Sequence, residues 1–154
     1  MEIRKIASFA ADHDIITPGM YISRIDGDVV TYDLRTRTPN AGDYMDDLTI
    51  HSVEHMLATF MRNGEIGADV VYFGPMGCRT GFYLLVRDSV SAENVRIALI
   101  SALKNTEEAN EMFGASRKEC GNYRELSLDA AKVECARYRT VLESKLQKTF
   151  TYGE

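Results

Sequence analysis

A chain of 154 residues, 45% hydrophobic and 27% charged, holds material for one substantial core and reads as a single domain over residues 1–154. Its net charge of −5, with no long basic run, gives a phosphate backbone nothing to bind, so nucleic acid is excluded as an expected partner. No apolar run approaches the roughly 20 residues that cross a bilayer, and "MEIRKIASFAADHD" carries acidic residues where a secretory signal needs an apolar core; no membrane partner and a cytoplasmic location are expected.

In chain order, "MYISRIDGDVVTYDLRT" predicts two antiparallel strands around a hairpin turn at Asp26-Gly27, because glycine tolerates positive φ. A helix follows through "LTIHSVEHMLATFMRN", with Asp47 as N-cap and Gly64 ending it in a left-handed C′ conformation. "ADVVYFG" and "GFYLLVRDS" predict two more strands, separated by the Pro- and Gly-bearing loop "PMGCRT" that carries Cys78. Helical spacing then runs from Ser91 through Val95, Leu99 and Leu103, and again from Ser127 through Ala131, Cys135, Tyr138, Leu142 and Leu146. Between these helices the aperiodic "MFGASRKECGNYREL" places Cys120 in a loop or short extended piece. The order of elements predicts an α+β fold, an antiparallel β-sheet packed against helices, with a metal site on the central helix.

That site rests on "HSVEH". An α-helix turns about 100° per residue, so His51 and His55 project from one face within reach of a single ion, with Glu54 beside them. A tetrahedral site generally wants a third protein ligand and leaves one position open. Three cysteines in an apparently intracellular chain argue against a disulfide framework. Cys135 lies on an apolar helix stripe and reads as a packed residue. Cys78 and Cys120 remain as candidates for the third ligand, and spacing does not choose between them.

"HSVEHMLATFMRN", "GPMGCRTGFYL" and "ECGNYRELSLDAAK", in this order, closely resemble the signature segments of the LuxS family of S-ribosylhomocysteine lyases, and "SFAADHD" and "YDLRTRTPN" resemble its amino-terminal segments. The resemblance implies His51, His55 and Cys120 as metal ligands and Cys78 and Glu54 as the acid/base pair. It also implies one divalent metal per subunit, Fe(II) in the native form with Zn or Co as alternatives, and a homodimer with active sites at the subunit interface. The implied reaction cleaves the thioether of S-ribosylhomocysteine to homocysteine and 4,5-dihydroxy-2,3-pentanedione, the autoinducer-2 precursor, by carbonyl migration and β-elimination. A cysteine near a cation can be a thiolate below its usual value of roughly 8.5, which suits proton shuttling; Arg79 is its neighbour in sequence, and reads equally well as a loop residue.

For substrate binding the family pattern points to Ser8, Phe9, His13, Arg35 and Arg62. Two positions depart from it: Thr31 stands where lysine is common, and Tyr72 where an acidic residue precedes the loop. The rivals are an HxxEH-type zinc metallopeptidase, which takes a further ligand from a later helix, and a noncatalytic metal-binding module in which Cys78 is incidental.

Overall fold

In the computed structural model, which describes residues 1–154, a four-stranded antiparallel sheet of order β1-β2-β4-β3 is covered on one face by helices. A short helix α1 (Ala7–Ala10) precedes the hairpin of β1 (Gly19–Asp26) and β2 (Val29–Arg35). Gly27 turns it at φ +59°, a conformation that favours glycine. Helix α2 (Asp47–Asn63) leads to β3 (Val70–Pro75) and β4 (Gly81–Arg87), and α3 (Ala92–Glu108) and α4 (Leu128–Ser144) complete the chain. No helix is long and apolar enough to cross a membrane.

Strand alternation divides the side chains of the sheet between two environments. Tyr32 and Leu34 of β2, opposite Leu84 and Phe82 of β4, join Met56 and Leu57 of α2, Leu99 and Leu103 of α3, and Tyr138 of α4 in one core of 24 buried residues. Asp33 and Arg35 lie on the other face, with Tyr21 and Tyr83 beside Asp33 across the ladder. Gly81 lets β4 approach there, since a Cβ would stand 2.4 Å from the Leu34 carbonyl oxygen.

The helix boundaries depart from the expected ones at three points. Asp46, not Asp47, is the N-cap of α2: its carboxylate accepts the Thr49 amide at 2.8 Å, and Asp47 is already helical. Gly64 ends the helix in extended backbone, φ −88° and ψ −172°, not in the left-handed region. Ser91 and Ser127, where the helical spacing begins, are the N-caps of α3 and α4, their side chains accepting the Asn94 and Ala130 amides. Leu146, expected on the apolar stripe of α4, lies beyond its end and is 86% exposed. Cys135 is buried as a packing residue, and burial pushes its thiol up to about 12.

Asp46→Ala is expected to cost about 1 kcal/mol at neutral pH, and Asp47→Ala clearly less, in urea denaturation. Bonding to the Thr49 hydroxyl and amide holds the Asp46 carboxyl below the usual range. Its contribution is therefore present above the unfolded value and lost as pH falls through the folded one, so the cost of Asp46→Ala should shrink in acid.

Candidate active site

The core face of α2 is filled by Val53, Met56, Leu57 and Met61, so the helical period turns His51 and His55 toward the segment between α3 and α4. Their rings meet edge to face with centroids 4.7 Å apart. His51 Nδ1 donates to the Glu125 carbonyl at 2.8 Å, and His55 Nδ1 donates to the Phe113 carbonyl at 2.9 Å. A carbonyl only accepts, so each Nδ1 carries the hydrogen and each Nε2 presents a lone pair. Cys120 brings Sγ to 3.5 Å from His51 Nε2, where it also meets the Asn122 amide at 3.4 Å. Ligand atoms of the three side chains lie within 4.8 Å of one another.

This donor set fits a transition metal. Two imidazole nitrogens and a thiolate suit Zn, Fe or Co, and a fourth position remains for substrate. The carbonyl partners fix ring orientation as outer-shell groups do around metal-bound histidines. Neither Cys78 nor Glu54 belongs to this cluster. Glu54 is half-buried on α2, one residue before His55, and no salt bridge of the fold engages it.

Cys78 forms the centre of a second cluster. The β3–β4 connection folds back on itself through Met76 N–H to the Gly81 carbonyl and Arg79 N–H to the Met76 carbonyl, with Arg79 at φ +62°, and leaves Cys78 exposed. The cation that reaches the sulfur is Arg35, not the sequence neighbour Arg79: Arg35 Nη1 lies 3.9 Å from Sγ and 2.8 Å from Thr80 Oγ1. Arg35 is 2% exposed and pairs with Asp33, Nε to Oδ1 at 3.0 Å and Nη2 to Oδ2 at 2.6 Å. Burial pulls the guanidinium pKa down, but its bonds to Asp33 and the attraction of that charge outweigh the penalty, so the net direction is upward.

The remaining substrate candidates are dispersed. Ser8 lines a cavity of about 250 Å³ on the Asp33 face of the sheet, together with Thr31 and Tyr72, the two positions that depart from the family pattern. Phe9 is 71% exposed. His13 bonds through Nδ1 to the Ala11 carbonyl at 3.0 Å. Arg62 donates to the Val70 and Val71 carbonyls at 3.1 and 2.7 Å, tying the end of α2 to the start of β3. Asp33 and Thr80 carry no motif of their own in the sequence. Strand period two could have joined Asp33 to Arg35, whereas Thr80 is adjacent to Cys78 only because the loop folds back.

The sequence model of the S-ribosylhomocysteinase (LuxS) family matches residues 6–150. The chain belongs to the LuxS family. Among similar proteins, the S-ribosylhomocysteine lyase of Borreliella afzelii is 41% identical over 97% of this chain and 99% of its own length. Those of Clostridium acetobutylicum and Finegoldia magna are 37% and 41% identical, each over 99% of this chain and 100% of their own. Cys120, the third member of the cluster in this LuxS chain, lies in the loop before α4, not on a later helix as the metallopeptidase reading requires.

Gly114 stands against the metal-facing helix at φ +64°, and a Cβ there would lie 2.9 Å from His55 Nδ1. Gly114→Ala should therefore displace the ring from its carbonyl partner and weaken Co(II) binding by about tenfold or more, measured by titration of the thiolate-to-metal absorption. Unchanged affinity would show that the carbonyl bond does not hold His55.

Proposed function

We propose that this chain is a metal-dependent carbon–sulfur lyase that cleaves S-ribosylhomocysteine to homocysteine and 4,5-dihydroxy-2,3-pentanedione. The observation that carries the reading is the His51, His55 and Cys120 cluster, with an Nε2 lone pair presented by each histidine, in a chain of the LuxS family. The atoms of substrate and products balance without water, so the reaction is an elimination. The thioether carbon of the opened sugar is not adjacent to an acidified C–H until the carbonyl has moved from C1 to C3; C4–H is then acidic and the sulfur at C5 leaves.

His51, His55 and Cys120 would hold one divalent cation, Fe(II) in the native enzyme with Zn or Co able to replace it. When bound, such an ion supplies Lewis acidity that stabilises developing negative charge on sugar oxygens. Protons are moved by this chain's own groups. Cys78 Sγ takes a proton from one sugar carbon and returns it to the next in the carbonyl shifts, and the Glu54 carboxylate serves the distal carbons and protonates the departing homocysteine sulfur. Arg35 keeps a positive charge beside Cys78, and Ser8, Phe9, His13 and Arg62 belong to the substrate-facing surface in this reading.

The active protein in this reading is a homodimer with interfacial sites. What supports it is the division within one chain: the metal cluster sits on α2, on the helical side of the sheet, while Arg35 and the thiol beside it belong to the opposite side. Residues 1–154 are taken as one domain. The cytoplasm is its compartment, because Cys78 and Cys120 must work as free thiols and both are unpaired.

The test incubates metal-loaded protein with S-ribosylhomocysteine and follows free thiol release. Cys120→Ala should lose both metal and activity. Cys78→Ala and Glu54→Gln should keep the Co(II) spectrum and lose at least about 10²-fold in rate, the usual contribution of a general acid/base group. No thiol release by the unsubstituted enzyme would overturn the substrate, and near-normal release by either metal-loaded variant would overturn that residue's role.

A further inference from the structure

The cluster around Cys78 contains a hydroxyl whose orientation can be settled by counting donors and acceptors. Arg35 has donors only. Its Nε and Nη2 are committed to Asp33, so the Nη1 edge is the one directed at the loop, and Thr80 Oγ1 at 2.8 Å must accept from it. The Thr80 hydroxyl hydrogen then has to find an acceptor elsewhere. Thr80 is 1% exposed, and the other polar atom against its oxygen is Cys78 Sγ at 3.0 Å. Were the thiol to donate instead, the hydroxyl hydrogen would be buried without an acceptor, which costs free energy.

We propose that Thr80 is a positioning residue for Cys78: its hydroxyl, turned by Arg35, donates its one hydrogen to the sulfur and holds that sulfur as an acceptor. The proposal rests on the reading of Cys78 as the proton shuttle. A hydrogen bond received by sulfur favours the thiolate, the form able to take a proton from carbon.

The far end of the same chain of bonds is anchored by the carboxyl-terminal segment. Tyr152 donates its phenol hydrogen to Asp33 Oδ2 at 2.8 Å and packs on Tyr21 with centroids 5.1 Å apart. Burial, with the Asp33 charge alongside, raises the Tyr152 pKa, so the phenol keeps the hydrogen it donates. The segment is fixed in turn: Gln147 bonds both backbone groups of Met20, and the Ile22 amide donates to the Phe150 carbonyl at 2.7 Å. Glu154 accepts the amides of Lys148, Thr149 and Phe150. Bonds thus run from Tyr152 and Arg35 to Asp33, from Arg35 to Thr80 and from Thr80 to Cys78. Tyr21, Tyr83 and Tyr152 surround the Arg35–Asp33 pair on this side of the sheet, Lys145 bonds the Tyr21 hydroxyl, Arg24 and Tyr72 line the cavity farther along it, and exposed Arg79 is next to the thiol in sequence.

The test needs neither substrate nor metal, so its outcome is independent of the lyase assignment. Alkylation of Cys78 by iodoacetamide at pH 7 is followed by peptide mass in the full chain. Thr80→Val, which keeps the shape and removes the hydroxyl, should slow it by about tenfold, the scale of one hydrogen bond to a charged group. Thr80→Ser should restore the rate. A role in holding the loop alone predicts the reverse for Thr80→Val, because loosening around an exposed thiol does not slow its alkylation. An unchanged rate in Thr80→Val, or a Thr80→Ser rate as slow as Thr80→Val, would overturn the proposal. If Thr80→Val does not fold, Thr80→Ala, which adds no bulk, makes the same comparison against Thr80→Ser.

Discussion

β2 is buried on both faces, and its alternating side chains serve two different interiors. Leu34 closes the hydrophobic core, while Arg35, one residue on, carries a full charge into a site that admits almost no water. Such a charge persists only where it is paired and hydrogen-bonded, and Asp33, on the same face by strand period, meets that demand with two bonds. A one-residue slip of the strand would put Arg35 into the core and Leu34 against the thiol loop. Register in this strand is therefore a condition for both the core and the Arg35–Cys78 cluster.

The metal cluster is governed by a comparable economy of hydrogen bonds. The histidines do not depend on an ion to be oriented, because the Glu125 and Phe113 carbonyls engage their Nδ1 edges. Those carbonyls come from the segment that also supplies Cys120, so the long connection from α3 to α4 provides both the cysteine of the cluster and the orientation of its two histidines. Its lack of regular structure is consistent with that use: backbone carbonyls committed to a helix or ladder could not face the imidazoles.

Much of this was legible in the sequence because the signals are local. Hairpin glycine, helical periodicity and the i, i+4 histidines each act over a few residues, and the family resemblance assigned Cys120 where spacing alone left Cys78 equally eligible. What was not legible depended on neighbours across the fold. Asp46 and Asp47 are both competent caps, and the choice falls to whichever residue leaves the helical backbone first. Gly64 is free to be left-handed, but the chain departs in extended form into the turn before β3. Leu146 keeps the period of α4 but lies after its last turn. Arg79 adjoins Cys78 in sequence, yet the guanidinium at the sulfur arrives from β2, a contact that only sheet pairing between Arg35 and Gly81 creates.

The central claim is that the metal cluster of one chain works with the thiol of another. The most direct measurement purifies a mixed dimer, through two different tags, containing one Cys78→Ala chain and one Glu54→Gln chain, both metal-loaded. A composite site predicts recovered thiol release from S-ribosylhomocysteine, because one of the two sites then combines an intact Cys78 with an intact Glu54. If both groups act within a single chain, every site in the mixed dimer lacks one of them, and a mixed dimer as inactive as its parents would contradict the account.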